Sequence, residues 1–145
     1  YFMAQKESDT LIIRLLEGDF PKYDDIVSKQ NTYTLSIDKK PFAKMLRRMS
    51  ILSSEKYKGA IFNFDKNQLV ITATNPDIGE SKEDLAIEYE GDKIEAAFNP
   101  KFFSDCLNAI HEDNILLHMV DGEKPCLVEG ASDKSFLTVI MPMRI

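Results

Sequence analysis

The chain has 145 residues, 43% hydrophobic and 29% charged, with a net charge of −6, so it is long enough for one ordinary folded domain or a domain plus a fragment. No apolar run approaches the ~18 residues of a membrane span, and no basic region followed by an apolar stretch opens the chain, so a cytoplasmic protein without a membrane role is expected. The acidic balance argues against a surface that grips nucleic acid everywhere, and two cysteines, Cys106 and Cys126, without CxxC spacing argue against a metal centre or a disulfide framework.

In chain order, Thr10 to Leu16 is rich in β-formers, and its only upstream partner is Tyr1 to Gln5, so the opening reads as the tail of a larger structure. Glu17 to Pro21 carries turn chemistry, after which Phe20, Tyr23, Ile26 and Val27 anchor a connecting segment leading to a polar linker at Ser28 to Asn31.

From Thr32 onward the chain reads as one βαβββ module written twice. Thr32 to Ile37 alternates as a strand, Asp38 is an N-cap candidate, and Phe42, Met45, Leu46 and Met49 form a helical apolar stripe. Strands are expected over Gly59 to Phe64, Gln68 to Thr74 and Leu85 to Glu90, the first two joined by the turn Asp65-Lys66-Asn67. The second copy begins with a strand over Lys93 to Phe98. Asn99 then caps with Pro100 at the first helical position, and Phe103, Cys106, Leu107 and Ile110 repeat the stripe. An offset of 61 residues relates cap to cap and stripe to stripe at every step. Strands over Asn114 to Val120, Pro125 to Glu129 and Phe136 to Met141 complete it. Such a chain is α+β, with two helices on one side of antiparallel sheets.

The helix faces away from the stripes are the next question. Lys39 to Arg48 holds five basic residues and no acid, and helical geometry puts Lys40, Lys44 and Arg47 opposite the stripe with Arg48 nearby. That is either a solvated face or a localised phosphate-facing surface. The second helix offers Lys101, Asp105 and Asn108 at the equivalent places. Ile51 falls on the polar side of a continued first helix, with Leu52 near the stripe edge, which points to a subunit contact or a bent, buried helix end. At the C-terminus, Pro142 ends the last ladder and leaves Met141, Met143, Arg144 and Ile145 either to pack over the core edge or to line a deformable apolar recess.

Catalytic patterns are missing: the chain has no GxGxxG, phosphate-binding loop or HExxH, so neither an enzyme nor a cofactor is expected. His111 and His118 read as structural histidines, and the acidic clusters Asp24-Asp25, Glu88-Glu90 and Glu112-Asp113 lack the spacing of a paired acid and base.

The segments LLEGDFPKYDDI, ILSSEKYKG, QLVITATNP, FNPKFFSDCLNAI and the terminal VIMPMRI resemble, in order and spacing, the C-terminal part of the bacterial DNA polymerase III β sliding clamp family. The resemblance implies a DNA-clamp fold in which residues 1–28 end the middle domain and its linker and residues 29–145 form the third domain. It also implies a non-catalytic processivity factor of DNA replication: a head-to-tail homodimer ring around duplex DNA, which it contacts without regard to sequence. Short peptide motifs of the polymerase III catalytic subunit, the clamp loader and repair polymerases would dock in a hydrophobic pocket. Matched by position, that pocket comprises Pro21, Ile26, Tyr57, Asn99, Phe102, Val139, Met141, Pro142, Met143 and Arg144, with its other wall supplied by middle-domain residues outside this sequence. Lys40, Lys44, Arg47, Arg48 and Lys101 would face DNA. Ile51 and Leu52 match the centre of the subunit interface, and Glu80 and Glu83 would pair with basic residues of a neighbouring first domain. Asp24 and Asp25 stand where relatives usually carry basic residues, and Glu123 where the family tends to be apolar. The alternative reading is a stand-alone peptide-binding module without a DNA role.

Overall fold

A computed structural model describes residues 1–18, 22–30, 32–52 and 59–144. The opening residues form a hairpin of β1 (Phe2–Lys6) and β2 (Asp9–Ile13), turned at Glu7, whose φ is 54°. Every residue of this hairpin is exposed, so it buries nothing against the rest of the chain.

The duplicated module follows. β3 (Tyr33–Asp38), α1 (Lys39–Met49), β4 (Ala60–Asp65), β5 (Gln68–Asn75) and β6 (Gly79–Ala86) make the first copy. β7 (Ile94–Phe98), α2 (Pro100–Ala109), β8 (Asn114–Met119), β9 (Cys126–Gly130) and β10 (Leu137–Ile140) make the second. Each helix starts as its sequence dictates: the Asp38 carboxylate accepts from the Lys40 amide at 3.1 Å and the Asn99 amide oxygen from the Lys101 amide at 3.0 Å. The two copies do not form separate sheets. Each gives its first strand to the other, so the sheets run β6-β5-β4-β7 and β10-β9-β8-β3, all pairs antiparallel. Exchanging strands makes one core of two half-cores.

That core is aromatic at its centre. Phe103 of α2 packs edge-on to Phe42 of α1 at 5.8 Å and to Phe98 of β7 at 5.3 Å, and stacks on Phe62 of β4 at 5.2 Å. Phe42 and Phe103 are the residues related by the repeat, so the pseudo-twofold passes through a contact between equivalent rings.

One strand differs from the sequence-based expectation. β6 occupies Gly79–Ala86, not Leu85 to Glu90, and pairs with β5 from Gln68↔Ala86 to Asn75↔Gly79. As a sheet edge it has one ladder partner and largely exposed side chains, so its charged sequence is tolerated without a β-signal. The apolar alternation at Leu85, Ile87 and Tyr89 reports burial instead: Ile87 and Tyr89 pack into the core where Glu88 makes an isolated bridge to Ser36 of β3. The other strand limits fall close to expectation except β2, which stops at Ile13, with Leu15 and Leu16 exposed beyond it.

Candidate functional site

The C-terminal segment separates two concavities. β10 ends at Ile140, as Pro142 requires, and the Met143 amide then donates to the Ala97 carbonyl of β7 at 2.7 Å, pinning the tail across the molecule. On one side lies an apolar groove of about 470 Å³, walled by Phe102 and Asp105 of α2, Phe136, Val139 and Met141, with the Cys106 thiol among its lining groups. Phe102 is 52% exposed and Met141 58%, so the groove is open at the surface. Burial raises the Cys106 pKa, partly offset by Thr138, so this thiol is not activated.

On the other side, a polar concavity of about 710 Å³ is bounded by Glu123, Lys124, Met141, Pro142, Met143 and Arg144. Its loop is fixed by Asp121, whose carboxylate accepts from the amides of Glu123 at 2.8 Å and Lys124 at 2.9 Å. Gly122 is required there by close approach, because a Cβ would lie 1.9 Å from the Glu95 carbonyl oxygen.

The structure thus distributes the expected pocket residues. Phe102, Val139 and Met141 meet in the groove; Met141, Pro142, Met143 and Arg144 meet in the concavity, with Met141 as the shared ridge. Asn99 lines neither, is 9% exposed, and its amide oxygen is committed to capping α2. Ile26 is exposed and outside both, while Pro21 and Tyr57 lie outside the described residues. Sequence reasoning missed Asp105, Phe136 and Thr138. Asp105 could have been found at helical spacing from Phe102, and Phe136 at strand spacing before Thr138.

The helical cations also sort. Arg48 makes a two-pronged pair with Glu83 of β6, its Nε at 2.6 Å from Oε1 and a second nitrogen on Oε2, and that bonding holds the Glu83 carboxyl below its ordinary pKa. Glu83, expected to meet a base of another subunit, is therefore engaged within its own chain. Lys40 reaches Asp113 at 2.9 Å, a pair with both side chains about three-quarters exposed and hence weak, and Lys39 donates to the Ile110 carbonyl at the end of α2. Lys44, Arg47 and Lys101 are exposed and have no ion-pair partner among the described residues.

Of the expected interface residues, Ile51 is 70% exposed just past α1, close in sequence to Arg48. Leu52 packs partly on the core, held where its carbonyl accepts from the buried Asn75 amide at 2.9 Å. Glu80 is exposed on the edge strand β6. His118 is a satisfied buried histidine, with Nδ1 3.0 Å from Thr34 Oγ1 and Nε2 2.9 Å from Glu129. No group of three or more His, Cys, Asp or Glu able to hold a metal occurs among the described residues, and no helix of the described residues is long and apolar enough to cross a membrane.

A duplicated βαβββ domain with exchanged strands, paired helices and an apolar groove beside its terminus defines an α+β domain of the clamp type. Comparison with known proteins agrees. A Pseudomonas aeruginosa DNA polymerase sliding clamp structure superposes with a TM-score of 0.83 at 30% identity, over 91% of this chain and 36% of that one. A Thermotoga maritima DNA polymerase III beta subunit gives 0.83 at 26%, over 92% and 36%. The beta sliding clamps of Vibrio cholerae and Escherichia coli are 35% and 33% identical over 132 residues, 91% of this chain and 36% of each relative. Residues 25–144 match the model of the DNA polymerase III beta subunit, C-terminal domain, and the chain belongs to that family. It spans about a third of the length of the curated relatives it matches.

Proposed function

We propose that this chain is the C-terminal part of a sliding-clamp processivity factor for bacterial DNA replication, acting by topology rather than catalysis. Residues 1–28 end a middle domain, which accounts for the exposed apolar residues of the β1–β2 hairpin, and residues 29–145 form the third domain. In the complete protein, subunits join head to tail about Ile51 and the β6 edge carrying Glu80, and the helices surround duplex DNA. Lys44, Arg47 and Lys101 offer mobile, sequence-independent contacts to phosphate, with Lys40 and Arg48 beside them.

The observation that carries the reading is the groove with half-exposed Phe102 and Met141 as its walls. It accepts the Leu and Phe side chains of short peptide motifs on the polymerase catalytic subunit, clamp loader and repair polymerases, each burial contributing ~1.5–3 kcal/mol. Arg144, at the edge of the adjoining concavity, meets the peptide's polar groups. A relative from Pseudomonas aeruginosa, 29% identical, was solved bound to griselimycin, which supports ligand capture in this family.

Titration of the chain with a fluorescent peptide carrying a Gln-x-x-Leu-Phe motif tests the assignment. Met141→Ala should weaken binding about tenfold, and removal of residues 141–145 should abolish it. Unchanged affinity in both variants would remove the groove as the docking site.

A further inference from the structure

The chain leaving α1 is tied to the β5–β6 hairpin on both sides of Ile51. Before Ile51, the Arg48 guanidinium grips Glu83 of β6 through both carboxylate oxygens, its Nε 2.6 Å from Oε1. After it, Asn75 Nδ2 donates to the Leu52 carbonyl at 2.9 Å, while Asn75 Oδ1 accepts from the Asp77 amide at 3.0 Å. Asn75 is 2% exposed, so both ends of its amide are matched where an unmade bond would be costly. In the hairpin register Asn75 faces Gly79 and Ile71 faces Glu83, so the two ties land on one rigid ladder.

Ile51 itself stands out. Its amide donates to the Arg48 carbonyl at 3.1 Å and the Leu52 amide to the Met49 carbonyl at 3.2 Å, so the helical turn continues through both residues. Leu52 packs partly on the core, but the Ile51 side chain is 70% exposed. Helix ends ordinarily fray. This one is fixed at either side of an apolar side chain that it holds in solvent, an arrangement that lowers the ordering cost of a contact made there.

We propose that Arg48 and Asn75 are positioning residues that brace the exit of α1 and hold Ile51 preformed as a subunit contact. The proposal deepens the reading in which subunits join about Ile51 and the β6 edge, and it rests on that reading. Glu83 then serves the contact from within its own chain, by fixing Arg48. Without the brace the segment would be ordered only as the neighbour arrives, and that entropy would be subtracted from the association. The Arg48–Glu83 pair is partly exposed and stabilises the fold little, so its loss should be felt in assembly more than in melting.

Two preparations carry the test: the 145-residue chain, for amide exchange at Ile51 and Leu52, and the full-length protein proposed above, for subunit dissociation on dilution by sedimentation. Ile51→Ala is the reference and should loosen the dimer about tenfold. Arg48→Met should quicken exchange at both amides and loosen the dimer by up to about tenfold, with little change in Tm. Exchanging the charges, Arg48→Glu with Glu83→Arg, should restore most of both. Asn75→Asp, which keeps the acceptor and removes the donor, should act in the same direction as Arg48→Met. Added to Ile51→Ala, Arg48→Met should cost nothing further, a coupling that general destabilisation would not produce. If Ile51→Ala loosens the dimer while either Arg48→Met or Asn75→Asp does not, or if the exchanged pair restores nothing, the brace is wrong and the subunit contact stands. If Ile51→Ala has no effect, or the full-length protein does not associate, the subunit reading falls and takes this proposal with it.

Discussion

Glu129 shows how far one side chain can depart from its type. A carboxylate is rarely buried to 2% exposure unless paired, and this one has three nitrogen donors from three parts of the chain. Its folded pKa, about 2 against an ordinary 4.5, means that the native state binds the proton less readily than the unfolded chain does. The resulting stability is complete above about pH 4.5 and is lost as the pH falls from there towards 2; it amounts to about 3 kcal/mol. Thermal melts from pH 6 to pH 2 should therefore show wild type more stable than Glu129→Gln at the upper end, with the gap closing through that window. A constant gap would mean that the carboxylate's charge is not what stabilises. His118, read from sequence as a structural histidine, is indeed fully bonded, but nothing in the alternation of β8 says that its partner is a carboxylate eleven residues on.

At the scale of elements, the two helices are equivalent in sequence and in role. Each begins with a side-chain oxygen capping the amide two residues on, so Asp38→Ala and Asn99→Ala should each cost ~1 kcal/mol. Phe103→Ala should cost ~3–5 kcal/mol, because its ring touches Phe42, Phe62 and Phe98 together and truncation opens a cavity at the junction of both repeats. Urea melts of the three variants check the order; a Phe103 loss no larger than a cap loss would contradict a shared core. The edge strand β6 marks where element-level reading fails. Gly79 to Asp84 carries no apolar pattern because no core lies against most of it, and eight backbone register pairs with β5 supply what its side chains do not.

Considered whole, the molecule separates its surfaces. Cations sit on α1, the apolar groove lies between α2 and β10, and the exposed Ile51 stands just past α1. If the proposed ring is formed by the full-length protein, charge reversal of Lys44 and Arg47 in it should lower DNA loading or sliding, and make it less salt-dependent, while leaving peptide affinity unchanged. Measuring both on one preparation separates the two surfaces. A fall in peptide binding would show that they are coupled, and no change on DNA would remove the phosphate-facing role.

Cap, stripe and strand order recur in the residues themselves at an offset of 61, so the duplication, the two helices and the terminal break at Pro142 were all readable in advance. They are local: periodicity and capping depend on neighbours within a turn or two. The strand exchange, the division of the expected pocket into a groove and a separate concavity, the engagement of Arg48 by Glu83 and the approach of Lys29 to Glu129 were decided only by tertiary structure. Each joins residues far apart along the chain, and a pattern in one segment cannot state which distant segment will complete its hydrogen bonds or cover its apolar face.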